Sequence, residues 1–181
     1  MPDKIRFGEV KALAEGFGFH ARVLDPHKVP VCEDYRKYCE ENLCGNFGKN
    51  YSCPPACGSI TALHEELLKY SAVIALETAE EKENFDTAFA LDAGKRHNKA
   101  VMALTAALRD AGYDTFGMGC GGCFLCERCA IEDDLPCLYP EKRLGCISAF
   151  GIDAGGLMEL CGFEFGWSRD KLYLVGMTAI K

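Results

Sequence analysis

The sequence predicts an α/β fold, with α+β as its neighbouring alternative: a small mixed sheet flanked by helices and carrying two cysteine-rich metal-binding loops. Three observations predict it. Segments with apolar residues at helical spacing alternate with short runs of strand type. The composition, 49% hydrophobic and 26% charged residues in 181, is that of a globular chain able to bury a core. Finally, most of the 12 cysteines fall into two groups, Cys39 to Cys57 and Cys120 to Cys137, with none between. No repeat, low-complexity tract or linker marks a boundary, so one domain over residues 1–181 is expected.

The elements follow in order. Ile5, Val10, Leu13 and Ala14 share a helical face from Ile5 to Gly16, and Gly16 and Gly18 supply a stop. Phe19, Ala21 and Val23 alternate with His20 and Arg22, a strand ended by Asp25-Pro26. Cys32 to Gly58 reads as an ordered loop in which only Glu33 to Glu41 can be helical. Ser59 can cap a helix from Ile60 to Tyr70, and the apolar run Ala72 to Leu76 is the next strand. Glu83 to Ala111 has a long helical pattern interrupted at Gly94, giving one helix or two. Tyr113 to Met118 is a short strand leading into the second cysteine group. Asp153 to Leu160 reads as a helix and Leu172 to Ile180 as a last strand. The Glu80 to Glu83 charges read as a solvated turn.

Twenty Lys and Arg against 27 Asp and Glu give a net charge of -7, with the basic residues scattered, which disfavours nucleic-acid binding. No stretch approaches the roughly 20 apolar residues of a membrane span, and Met1-Pro-Asp-Lys-Ile5 lacks the pattern of a secretion signal, so a cytoplasmic location is expected. Stable disulfides are rare in a reducing compartment, which makes metal binding the first explanation of so many cysteines.

In the second group, Cys120, Cys123, Cys126 and Cys129 recur at every third residue, followed by Cys137 and Pro140. Ferredoxin-type four-iron clusters use such a run with a more distant fourth cysteine, because a tight turn presents three thiolates to three corners of the cube. Structural zinc more often uses two separated pairs, commonly with His, and this run overfills a four-thiolate site. Cys123, Cys126, Cys129 and Cys137 are therefore the expected ligands of one 4Fe-4S cluster. Cys120 either replaces one of them or sits beside the cluster as a spare thiol, and Cys137 could instead serve another cluster. The glycines of Gly117-Met-Gly-Cys-Gly-Gly122 lack the phosphate-loop Lys and are expected to bring backbone close to the cluster. Lys49, Arg128 and Lys142 lie beside these cysteines in sequence, where they either offset cluster charge or remain solvated.

The first group, Cys39, Cys44, Cys53 and Cys57 with Cys32 upstream, is by spacing alone an irregular metal loop. Gly45 and Gly48 can turn amides towards anionic sulfur, and Pro54-Pro55 stiffens the chain behind Cys53. Cys146 and Cys161, isolated among apolar residues, read as ordinary buried thiols, and His20, His27, His64 and His97 receive no role.

Taken together, Cys39, Cys44, Phe47-Gly48-Lys49-Asn50, Cys53-Pro54-Pro55, the Cys123, Cys126 and Cys129 run, Cys137, Pro140-Glu141-Lys142 and Gly151-Ile152-Asp153 resemble the family of predicted metal-binding proteins catalogued as domain of unknown function 2284. The resemblance spans nearly the whole chain and implies metal without implying a reaction. It supplies Cys39, Cys44, Cys53, Cys123, Cys126, Cys129 and Cys137. The chain adds Cys32, Cys57, Cys120, Cys146 and Cys161, and it has four residues between Cys39 and Cys44 where the family pattern has about three. Two fully ligated cubanes need eight thiolates, which makes Cys57 the expected eighth, with Cys32 its rival.

The resulting expectation is two 4Fe-4S clusters passing electrons to a redox protein partner, for which an acidic surface suits a basic docking face. An open iron in the first cluster would instead make the chain an enzyme of Lewis-acid or sulfur-transfer chemistry. A structural zinc protein is the third possibility.

Overall fold

The structure is a computed structural model that describes residues 6–181. Helix α1 (Phe7–Gly16) leads into β1 (His20–Leu24), and Ile5, expected at the helix start, lies outside the described residues. Two 3-10 turns and the short α2 (Arg36–Glu40) precede the first cysteine loop, which ends at α3 (Ile60–Leu67). Then come β2 (Ala72–Glu81), α4 (Thr87–Asp110) and β3 (Thr115–Gly119). The second cysteine loop connects β3 to the two-residue β4 (Gly145–Cys146), and α5 (Ala154–Cys161) and β5 (Lys171–Ile180) complete the chain.

Three helices start on side-chain caps that satisfy otherwise free amides. Ser59 Oγ accepts from Ala62, Asp86 from Phe89 and Asp153 from Gly156. Helix α4 runs unbroken through Gly94, since one glycine costs only about 1 kcal/mol and the flanking apolar face is buried.

All five strands join one sheet in the order β1-β2-β5-β3-β4. Only β3 and β4 pair parallel, so the sheet is mixed. The expected α/β class with a mixed sheet is therefore what forms. The Glu80 and Glu81 charges are not in a turn: they extend β2, pairing with Leu172 and Lys171. A strand read from its apolar half alone stops short at Leu76, because the polar half is fixed by a partner almost a hundred residues away.

Alternation along β2 feeds two cores. Ala72, Ile74 and Leu76 pack with Val10 and Ala14 of α1 and with Val101, Leu104 and Leu108 of α4. Val73 and Ala75 pack on the opposite face with Leu67 of α3 and with Leu157, Met158 and Cys161 of α5. Helices thus cover both faces of a sheet buried at its centre. Among the described residues no helix is long and apolar enough to cross a membrane.

This architecture places the cysteines. Gly119 pairs with Cys146 across parallel β3 and β4, so the chain leaves Cys120 and Cys146 at the carboxyl ends of adjacent strands. The second cysteine loop starts there. The first loop, between α2 and α3, folds against it.

Candidate metal centre

The second loop gathers four thiols. Cys123, Cys126, Cys129 and Cys137 all line one cavity of about 200 Å³, which the first loop closes with Asn46, Lys49, Asn50 and Tyr51. Burial pushes the Cys123 thiol above its ordinary value, and the nearby sulfurs of Cys126, Cys129 and Cys137 push it further. Cys120 is not in this group. Its amide donates to Asn98 Oδ1 at 3.0 Å, its carbonyl accepts from Asn98 Nδ2 at 2.8 Å, and its sulfur lies 3.5 Å from the same Oδ1. Helix α4 therefore holds Cys120 away from the other four sulfurs, and burial pushes its thiol up to about 12.

Close packing joins the two loops. A Cβ at Gly122 would stand 2.7 Å from Asn46 Oδ1 and 2.9 Å from Asn50 Nδ2, a clash that only glycine avoids. Tyr51 donates its hydroxyl to the Leu135 carbonyl at 2.7 Å, and Arg143 Nη1 donates to the Tyr51 carbonyl. Gly119 serves another purpose than cluster approach: its missing Cβ leaves room for Asn98 of α4, whose Cγ would otherwise be 2.7 Å away.

Of the cations singled out by sequence, Lys49 lines the four-thiol cavity, while Arg128 pairs with Asp133 at 2.9 Å and Lys142 lines a different cavity. The cation missed by sequence is Arg143. It lines the four-thiol cavity, and its Nε is buried with no hydrogen-bond partner among the described residues. Its position, six residues beyond Cys137, gave no signal.

The first loop is built on turns. Asn42 adopts positive φ and its Oδ1 accepts from the Phe47 amide at 2.9 Å; Gly48, also at positive φ, donates to the Pro54 carbonyl at 2.8 Å. Asn50 Oδ1 accepts from the Ser52 amide at 3.0 Å, and Asn50 Nδ2 donates to Asn46 Oδ1 at 3.4 Å. Cys39 is half-buried; burial raises its thiol, followed by the neighbouring sulfurs of Cys146, Cys44 and Cys57, against Arg36. Cys44 is exposed. Cys57 faces Arg36, whose Nη1 lies 3.7 Å from the Cys57 sulfur while Nη2 donates to the carbonyls of Gly58 and Ala149. The Cys32 amide donates to the Gly151 carbonyl at 2.8 Å.

Cys146 is not isolated in space. It and Cys53 are each only 5% exposed, and the two thiols lie close enough for each to shift the other. The Cys53 thiol is thereby held well above its ordinary value and the Cys146 thiol below, Cys146 being further stabilised as thiolate by the Ala149 and Ser148 amides and the Ser148 hydroxyl. Cys161, by contrast, lies in the apolar core behind α5, and burial raises its thiol.

Two histidines have partners. His20 Nδ1 meets Glu77 Oε2 at 2.6 Å, and His97 Nδ1 meets Thr78 Oγ1 at 2.8 Å beneath α4. Among the described residues neither hydrogen-bonds to a cysteine. No three His, Cys, Asp or Glu side chains among the described residues close upon one point as the ligands of a single ion would.

The model of a family described as predicted metal-binding protein (DUF2284) matches residues 22–180, nearly the whole chain and both cysteine loops. No curated protein and no solved structure matches the chain.

Proposed function

We propose that this chain, which belongs to the DUF2284 family of predicted metal-binding proteins, is an iron-sulfur protein that carries two 4Fe-4S clusters and passes single electrons to a protein partner. The observation carrying this reading is that Cys123, Cys126, Cys129 and Cys137 line one cavity. Three come from a run with x2 spacing and the fourth from a distance, the donor set of a ferredoxin-type cubane.

The surroundings suit an anionic cluster. Arg143 offers a buried N–H without a partner and Lys49 a second cation at the same cavity. Zinc sites more often draw their thiolates from two separated pairs than from a run at x2 spacing. The first cluster is assigned Cys39, Cys44 and Cys53 with a fourth thiolate from the same neighbourhood, a neighbourhood supplied with Arg36 as its cation.

When bound, such clusters supply one-electron redox chemistry. The protein's part is to hold thiolates, to set potential through nearby cations and to offer a docking face. Phe124, Leu135, Leu138 and Tyr139, all exposed, lie along the second loop next to its cysteines, forming an apolar rim on an acidic molecule. A partner that packs on this rim shortens the path to the cluster and excludes water from it.

Oxygen-free purification followed by iron and sulfide assay tests the reading, with electron paramagnetic resonance (EPR) after reduction. About eight irons and eight sulfides per chain and a reduced-cluster spectrum are expected. No iron, or zinc alone, overturns it.

A further inference from the structure

We propose that Cys146, rather than Cys57, supplies the fourth thiolate of the first site, beside Cys39, Cys44 and Cys53. This inference rests on the iron-sulfur reading and names a ligand that spacing leaves out.

Position comes first. Parallel pairing of β4 with β3 puts Cys146 opposite Gly119, at the strand ends from which the second loop departs. The first loop is pulled to the same place: Ser52 Oγ donates to the Leu144 carbonyl at 2.5 Å, two residues before Cys146 and one residue before Cys53. Cys53 and Cys146, both 5% exposed, are consequently brought close together inside the protein.

The surroundings of Cys146 are those of a ligand sulfur. An inert buried cysteine behaves as a small hydrophobe, as Cys161 does in the apolar core. The Cys146 sulfur instead has the Ala149 and Ser148 amides and the Ser148 hydroxyl as neighbours. Donors of this kind stabilise a thiolate and tune iron-sulfur sites. Arg36 reinforces the arrangement by donating to the Ala149 carbonyl at 3.0 Å, which holds the turn that aims these amides.

Cys57 has other partners. Its sulfur lies 3.7 Å from Arg36 Nη1 and 3.7 Å from the Gly58 carbonyl, at a part-exposed edge. There Cys57 and the Gly58 and Ala149 carbonyls together hold the Arg36 guanidinium in place.

The test compares Cys146→Ser, Cys57→Ser and the core control Cys161→Ser, each purified without oxygen, by iron and sulfide content and EPR. Cys146→Ser should fall from about eight to about four irons per chain and keep the second-site spectrum, whereas the other two keep about eight. Unchanged iron in Cys146→Ser, or loss of four irons in Cys57→Ser, overturns the assignment while leaving the iron-sulfur reading intact. A wild-type chain without iron overturns both. If Cys146→Ser does not fold, the wild-type and Cys57→Ser proteins decide when cyanide, which binds an iron lacking a protein thiolate, is added. Unchanged EPR spectra in both support four protein thiolates without Cys57, and a changed spectrum in either overturns the assignment.

Discussion

The Ser52 hydroxyl donates to the Leu144 carbonyl at 2.5 Å, a buried bond joining the first cysteine loop to the strand that ends at Cys146. Few other contacts tie these distant segments so directly. Ser52→Ala removes the donor and leaves a buried carbonyl unpaired, which should lower stability by about 1–3 kcal/mol. It should also speed release of iron from the first site. Chemical denaturation and the rate of iron loss to a chelator measure the two effects; unchanged stability would show that the carbonyl finds another donor.

Gly122 makes the corresponding junction from the second loop, lying against Asn46 and Asn50 of the first. In Gly122→Ala the new methyl meets the side-chain amides of both, and the Asn50 side chain also accepts from the Ser52 amide beside Cys53. Overpacking of this kind costs roughly 1–3 kcal/mol. Both sites should release iron faster than in the wild-type chain, and a variant in which only one site is affected would contradict a shared wall between them.

These two junctions also show where sequence reading stops. The helices capped by Ser59 and Asp153 and the alternating strand containing Phe19, Ala21 and Val23 were readable because each signal is local. The run of Cys123, Cys126 and Cys129 was readable for the same reason, whereas spacing left open whether Cys120 or Cys137 joins it at the cavity. Strand β4 was not: two residues, Gly145 and Cys146, have no periodicity and owe their conformation to pairing with Met118 and Gly119. Flanked by apolar neighbours, Cys146 therefore reads as core, and only the nearby Cys53 and the amides beside its sulfur distinguish it from Cys161. Arg143 was missed likewise, because a lone arginine reveals its partners only after both loops have met.

His97 predicts a pH dependence away from the cysteines. It projects from α4 onto the sheet, buried against Thr78, Phe19 and Gly176, and burial lowers its value to about 4. The folded state therefore binds its proton less readily than the unfolded chain does. The stabilisation is complete above about pH 6.5 and is lost progressively as pH falls towards 4, by up to about 3 kcal/mol. His97→Gln keeps a polar group facing Thr78 and cannot titrate. The fall in thermal midpoint between pH 7 and pH 5 should be smaller in this variant than in the wild-type protein, and equal falls would assign the acid sensitivity to the carboxylates.

Arg143 predicts the behaviour of the second cluster. Its Nη1 is engaged with the Tyr51 carbonyl, while its Nε stands buried and unpartnered at the cavity lined by Cys123, Cys126, Cys129 and Cys137. A cation with a free donor beside an anionic cluster favours the reduced form, which carries one more negative charge. If reduction strengthens that interaction by about 1.4 kcal/mol, the potential is raised by about 60 mV for one electron. Arg143→Gln should therefore lower the second-site potential by an amount of this order, with the first-site potential nearly unchanged. Redox titration followed by EPR separates the two sites. A stability loss without a change in potential would instead make Arg143 a clamp for Tyr51 alone, and Arg143→Lys distinguishes these roles because it retains the charge while losing the planar donor set that spans Tyr51 and the cavity.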